Sequence, residues 1–303
     1  MPGERAEDQV SVVIATYNMG RYLPGAVESA LAQSYPKVDV WIVDDGSTDD
    51  TPAVVRQWSG DPRVHVHRQA NGGQARAKNQ GVILSRGRFI AFLDADDVWL
   101  PEKLARQMPL FAGRPEVGVV YSDYERMDAD GRPLPTGVNR MHRGWVSGAL
   151  LIDNFVPFPA AVVRRACFER HEAFDESLAM GIDYDLWLRL SAHYKFDFIP
   201  EATVRYRIWS GQMSKNYRQR YDSAIDIMQR FLAQNEGVVD SAVVRRAWAH
   251  TYVGRGDCIL WNDKDRLAAL RDYARALGFG PLRWPTWRAI LRSLVTKEAP
   301  APG

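Results

Sequence analysis

Short runs of consecutive apolar residues alternate with segments of helical period through the first part of the chain. In order they are "VSVVIATY", "YLPGAVESALAQS", "VDVWIVDD", "TPAVVRQW", "RVHVHRQ", "GGQARAKNQGVILS" and "RFIAFLDADD". This βαβα alternation predicts a mainly parallel, Rossmann-like α/β sheet flanked by helices. Val12 to Ala15 and Phe89 to Leu93 are apolar at successive positions, as strands buried on both faces are. Farther on, "VGVVYSDYERM" with the turn "DADGRPL" reads as a strand and hairpin, and "FVPFPAAVVRR" as an extended piece entering a strand. "GIDYDLWLRLSAHY" reads as a helix with Leu186, Leu190 and Tyr194 on one face, and "FDFIPEATVRYRIWSGQMS" as a return to β structure. After Asn216 the pattern changes to amphipathic helices, "YRQRYDSAIDIMQRFLAQ", "SAVVRRAWAHTYVGRG", "DRLAALRDYARALG" and "TWRAILRSLV", with no fixed period.

In open sheets of this kind, ligands bind beyond the carboxyl ends of the strands. Four predicted strand ends carry polar groups there: Thr16, Tyr17 and Asn18; "DDGSTDD"; "NGGQAR"; and "DADD". Asp94 and Asp96 lie two apart and share a side of an extended chain, with Asp97 at the following turn. Their oxygens are hard ligands for Mg2+ or Mn2+, and a solvated acidic turn capping a helix at Pro101 to Phe111 is the alternative. Asp45 at a strand end has the chemistry to accept the ring N–H of a uracil or guanine, whereas Asp49 and Asp50 are ordinary helix-capping material. Arg76 and Lys78 at the start of a helix suit a phosphate or base-binding wall, or a solvated helix face. Gly72 and Gly73 form neither a GxGxxG nor a Walker motif, which disfavours dinucleotide and P-loop readings.

Together "SVVIATYNMGRYLPGAVESALAQSYPKVDVWIVDDGSTDDT", "NGGQARAKNQG", "FIAFLDADD" and "GIDYDLWLRL" resemble, in that order, the motifs of family 2 glycosyltransferases with the GT-A fold. The resemblance covers roughly the first two thirds of the chain. It implies a GT-A domain over residues 1–215, with a nucleotide-sugar half at about 1–115 and an acceptor half at about 116–215, followed by a helical region over 216–303. It further implies nucleotide contacts from Thr16, Tyr17, Asn18, Asp45, Arg76, Asp94 and Arg207, the last through the diphosphate. Asp94 and Asp96, with Asp97 nearby, match the family's DXD motif, which places Mn2+ or Mg2+ on a nucleotide diphosphate, and Asp183 stands where the catalytic base stands. The implied reaction is inverting transfer from a nucleotide sugar, with UDP the implied nucleotide, to a glycan or lipid-linked acceptor.

Two positions depart from the family pattern. Ile182 precedes Asp183 where Glu is usual, and Trp209 stands where a motif resembling Tyr-Arg-x-His has His. Arg207 and Lys215 are then the candidate charges on a closing loop, and the bland alternative for "YRIWSG" is a packed edge strand. The rival readings are a nucleotide-sugar pyrophosphorylase, for which "TYNMGRY" offers only Arg21, and a non-catalytic glycan-binding protein with the same fold.

Charge and composition narrow the partners. The formal net charge of +2 argues against nucleic acid as a partner. Cys167 and Cys258 are far apart and lack zinc or disulfide spacing, so they read as reduced thiols. The N-terminus lacks a signal-peptide pattern and no apolar run approaches the ~18 residues of a membrane span, so the expected location is cytoplasmic. The basic C-terminal helices, with Arg245, Arg246, Arg283, Trp284, Trp287, Arg288 and Arg292, admit a peripheral contact with an anionic membrane or a solvated helix face.

Overall fold

The computed structural model describes residues 8–137, 139–212 and 216–295. They fall into two compact units, one reaching to Val146 and resuming over Phe155–Gln212, the other made of Ser147–Asn154 and the residues beyond Gln212.

The first unit is built on one sheet. Its strands are β1 (Val10–Thr16), β2 (Val38–Asp44), β3 (Val64–Arg68), β4 (Phe89–Phe92), β5 (Val98–Trp99), β6 (Val117–Met127), β7 (Pro133–Leu134), β8 (Val162–Arg164) and β9 (Lys195–Arg207). The spatial order is β3-β2-β1-β4-β8-β6-β9-β5, with β7 paired to β6. β3, β2, β1 and β4 run parallel, β8 is antiparallel to both its neighbours, and β9 is parallel to β6. The sheet is therefore mixed. Since β1 leads to β2 on one side and has β4 on the other, the strand order reverses at the β1–β4 junction, where α/β sheets place their ligands.

Seven helices belong to this part of the chain: α1 (Leu23–Leu31), α2 (Thr51–Val54), α3 (Gln74–Leu84), α4 (Lys103–Gln107), α5 (Ser147–Ile152), α6 (Arg165–His171) and α7 (Ile182–Ser191). Of these, α5 belongs to the second unit. Period-two burial sorts the helices between the faces. Val10, Val12, Ile14, Val40 and Ile42 join the α1 residues Leu23, Ala26 and Val27 in one core cluster. Val13 points the other way, against α3, so closely that a Cβ on Gly81 would lie 2.3 Å from its Cγ1. The helix predicted over Pro101 to Phe111 is shorter than expected. It runs as α4 and then tightens into a 3-10 turn at Met108–Phe111, where Pro109 cannot donate to the α-helical ladder.

The second unit adds α8 (Tyr217–Gln234), α9 (Ser241–Cys258), α10 (Arg266–Phe279) and α11 (Trp284–Val295). Asn216, Asp240 and Asp265 each accept a backbone N–H at the helix they precede, which sets three of the four starts. Within the span expected as the 1–215 domain, Ser147–Asn154 falls in the second unit, where α5 packs with α9.

Lys103 is an unusual core residue. It is fully buried, its Nζ donates to Gln107 Oε1 at 2.7 Å, and it sits 4.2 Å from the Trp99 ring centroid. Burial pushes its pKa well below the ordinary lysine value. A base with a depressed folded value binds fewer protons folded than unfolded up to about pH 10.4, so its linkage makes stability rise with pH in that window. Between pH 7 and pH 10 the urea-unfolding free energy of the wild type should therefore gain on that of Lys103→Met as the pH rises. Equal slopes would mean that the ammonium stays charged over Trp99.

Candidate active site

The rim at the β1–β4 junction is held by hydrogen bonds between strand ends. In register, Thr16 lies opposite Asp44 and Asp44 opposite Arg68, and the Asp45 amide donates to the Thr16 carbonyl at 2.9 Å. The buried Asp45 carboxylate accepts from the Gly72 amide at 2.9 Å, the Gly73 amide at 2.8 Å and Gln69 Nε2 at 2.8 Å. It therefore shapes the "NGG" turn that launches α3, and at most one of its roughly four lone-pair sites is left for another donor. Asn18, in the left-handed region at φ 54°, accepts from the Thr48 and Asp49 amides and donates its own amide to Ser47 Oγ, tying the β1 loop to the β2 loop. Thr16 Oγ1 is buried with no hydrogen-bond partner among the described residues, and the next side chain, Tyr17, is 45 % exposed.

The three acids after β4 have three different environments. β4 hands its last sheet hydrogen bond from the Leu93 amide to the Val13 carbonyl, and the Asp97 amide closes a turn on the Asp94 carbonyl. Asp94 pairs with Lys78, Nζ to Oδ1 at 3.1 Å, while the same ammonium lies 3.9 Å from the Phe158 ring centroid. Asp96 Oδ2 accepts the Trp209 indole N–H at 2.7 Å. Burial and the neighbouring Asp94 charge raise the Asp96 pKa, opposed by the indole hydrogen bond and the Arg207 charge. Asp97, expected near the cation, is instead 1 % exposed. Its Oδ1 accepts the Arg207 amide at 2.8 Å and its Oδ2 has no hydrogen-bond partner among the described residues. Burial and the two neighbouring acids push its pKa well above the carboxylate range. An inward-turned acid of this kind anchors the end of β9 through the Arg207 amide, which leaves Asp94 and Asp96 as the acids of this turn open to a ligand.

Arg207, expected to contact the nucleotide, has most of its donors engaged by the fold. Its Nε donates to the Asp96 carbonyl at 2.7 Å and its Nη1 to the carbonyls of Ala129 and Asp128, while its guanidinium stacks 4.7 Å from the Tyr22 ring centroid. All these acceptors are neutral, so its positive charge still bears on the acids while most of its geometry is committed to the fold. Lys215 lies outside the described residues. Trp209 follows the end of β9, is half-buried and packs 5.6 Å from Tyr22. A cleft of about 460 Å³ is lined by Asn18, Tyr22, Asp49, Asp50, Ala129 and Trp209.

Asp183 stands in the first turn of α7, after Gly181 in the left-handed conformation at φ 77°. Trp187, four residues on and so on the same helix face, packs 6.2 Å from Phe158, the ring that carries the Lys78 ammonium. Asn79, next to Lys78, exchanges hydrogen bonds with the Phe174 backbone in the loop before α7. These contacts link the helix bearing Asp183 to the acid turn. Asp185 does something else: it pairs with Arg189 at 2.8 Å, and Arg189 in turn holds the carbonyls of His171 and Ala173.

The model of the family described as glycosyl transferase family 2 matches residues 11–167. The chain belongs to that family. Chondroitin synthase of Escherichia coli is 34% identical over 185 residues, which are 60% of this chain and 26% of that one. An uncharacterized glycosyltransferase of Rickettsia prowazekii is 28% identical over 228 residues, 74% of this chain and 71% of that one. Among solved structures, S. aureus TarS 1-349 in complex with UDP-GlcNAc is similar in fold at TM-score 0.70 and 18% identity, covering 93% of this chain and 81% of that one. Mannosyltransferase PcManGT of Pyrobaculum calidifontis, in complex with GDP-Man and Mn2+, gives TM-score 0.66 at 19% identity over 98% of this chain and 89% of that one. The chain spans about a quarter of the chondroitin synthase that it matches. This family 2 member is thus a GT-A glycosyltransferase.

Among the described residues no three His, Cys, Asp or Glu side chains cluster as a full metal cage. The donor set nevertheless fits Mg2+ or Mn2+. Two hard carboxylates sit together, the Asp96 pKa being raised first by burial and then by the Asp94 charge, and such cations usually keep water and substrate phosphate as their remaining ligands. Arg76 and Lys78, named together as a basic wall, part company in the structure. Arg76 is exposed and folds over Gly72, whereas Lys78 is buried on Asp94. Its signal was a lysine within the inward stripe of Ala75, Lys78 and Val82. The indole donor to Asp96 carries no local signal, because its partner lies 113 residues away.

The two α7 acids should separate by stability. Asp185→Ala leaves Arg189 without its buried carboxylate and should lower the urea-unfolding free energy by about 3 kcal/mol. A loss below about 0.5 kcal/mol would remove Asp185 from its structural role.

Proposed function

We propose that the chain is an inverting glycosyltransferase that moves a sugar from a UDP-sugar to a hydroxyl of a glycan or lipid-linked acceptor in the cytoplasm. The observation that carries this reading is the acid turn after β4, where Asp94 and Asp96 are both partly open, crowd each other's charge and stand at the switch point of the sheet. UDP is supported by the TarS complex with UDP-GlcNAc, and a glycan acceptor by the likeness to chondroitin synthase. The Mn2+ of the PcManGT complex supports a divalent cation.

In the proposed reaction the acceptor hydroxyl gives its proton to the Asp183 carboxylate, its oxygen bonds to the anomeric carbon, and the bond from that carbon to the diphosphate oxygen breaks. One base on the face opposite the leaving group suffices, and inversion follows from the single displacement. Asp96, with Asp94 beside it, would hold the cation, and Lys78 would orient Asp94 and offset its charge. A divalent ion bound there supplies Lewis-acid stabilisation of the charge on the departing diphosphate. Tyr17 and Arg76, both exposed at the rim, would contact the nucleotide beside the Thr16 strand end, with Asp45 and Asn18 holding that rim in shape. Trp209 would exclude water beside Asp96.

Two variants test the assignment separately. Asp96→Ala should abolish Mn2+-dependent binding of UDP in calorimetric titration while the fold survives, since removing one of three crowded acids relieves repulsion. UDP affinity that keeps its full Mn2+ dependence would take Asp96 out of the metal site. Asp183→Asn keeps shape but not basicity, so UDP binding should persist while transfer falls about 10²- to 10⁴-fold. Transfer at the wild-type rate would require another base.

A further inference from the structure

We propose that the outward face of α11 is a docking surface for an anionic lipid bilayer, a property of the helical unit that does not rest on the donor-site reading. The helix has two unlike sides. Thr286, Ala289 and Ser293 are buried, and Ala289 and the half-buried Ile290 belong to the core cluster of Ile259 and Tyr273. Opposite them Trp284, Trp287, Leu291 and Leu294 are 65, 44, 51 and 57 % exposed, spaced three, four and three residues apart in one stripe. Leu282, just before the helix, is 94 % exposed as well. Four large apolar side chains in a row on one short helix exceed the scatter of single exposed residues that surfaces normally carry. Residues 296–303, "TKEAPAPG", contain no large apolar side chain.

Charge identifies the occupant. From Pro281 to Val295 the sequence holds Arg283, Arg288 and Arg292 and no acid. Arg283 donates to the Arg246 carbonyl on α9 at 3.1 Å, and burial together with the Arg246 charge lowers its pKa, so two guanidinium groups are gathered at the start of the helix. Arg292 contacts Asp257, whereas Arg288 is exposed beside the stripe. A second copy of the chain docked face to face would set these arginines against themselves, at a cost in like-charge repulsion. Lipid phosphates would neutralise them while the acyl boundary takes the leucines and indoles, and the Trp287 indole N–H is already satisfied by the Pro281 carbonyl at 2.7 Å. The stripe from Trp284 to Leu294 is roughly 15 Å long, which suits a helix lying in the interface plane. No helix among the described residues is long and apolar enough to cross a membrane.

The test uses the full chain with vesicles of phosphatidylcholine alone and vesicles in which phosphatidylglycerol replaces part of it, read by cosedimentation and by the tryptophan emission maximum. The wild type should bind the anionic vesicles at least about tenfold more tightly, with a blue shift and weakening by salt. Arg288→Gln should reduce that binding about fivefold and Leu291→Ser/Leu294→Ser about tenfold or more, with UDP affinity and unfolding midpoint retained as controls. Equal binding to both vesicle types, no binding, or unchanged binding in the leucine variant would overturn the proposal. So would a concentration-dependent dimer of the wild type that the leucine variant abolishes, since the stripe would then belong to a second copy.

Discussion

Three carboxylates within four residues at the end of one buried strand form the constraint around which the first unit is arranged. At such spacing in a partly desolvated rim their mutual repulsion is too large to leave unopposed. Each acid is therefore met by a different device: Lys78 from α3 on Asp94, the Trp209 indole on Asp96, and the Arg207 amide on a buried Asp97. The three devices come from two segments far away in sequence, so folding of α3 and of the end of β9 converges on this turn. Two of the acids keep an outward aspect and the third is turned inward to serve the chain. That division separates an acid that can hold a ligand from an acid that holds the backbone.

The neighbouring rim works by the same economy of polar groups. Asp45 spends its oxygens on the amides that begin α3, and Asn18 spends its carboxamide oxygen on the loop after β2. Both residues have the chemistry to meet a nucleotide, and both also fix the loops from which Tyr17 and Arg76 project. A rim made rigid in this way loses less conformational freedom when a ligand arrives. Arg207 follows the pattern: its N–H groups go to neutral carbonyls, which fixes its position without cancelling its charge.

The parts legible in the sequence were those that depend on local pattern. Apolar runs located β1, β2, β4 and β6, helical period located α7 through α11, and the ordered motifs identified the family and its GT-A fold. Less legible was whatever depends on phase or on long-range contact. Arg76 and Lys78 are both basic, and only the rotation between them on α3 decides which enters the interior. Asp97 looks like its neighbours until the turn points it under β9. The interruption of the first unit by α5 was unreadable because Ser147–Ile152 has too few residues to show which core its apolar side faces.

Electron density from a crystal grown with Mn2+ and UDP would test the central claim most directly, through the anomalous signal of the metal. The account predicts an anomalous peak within bonding distance of the Asp96 carboxylate, with Asp94 beside it still paired to Lys78 and Asp97 still buried. Bound UDP with its diphosphate away from this turn, or a peak on other residues, would contradict it.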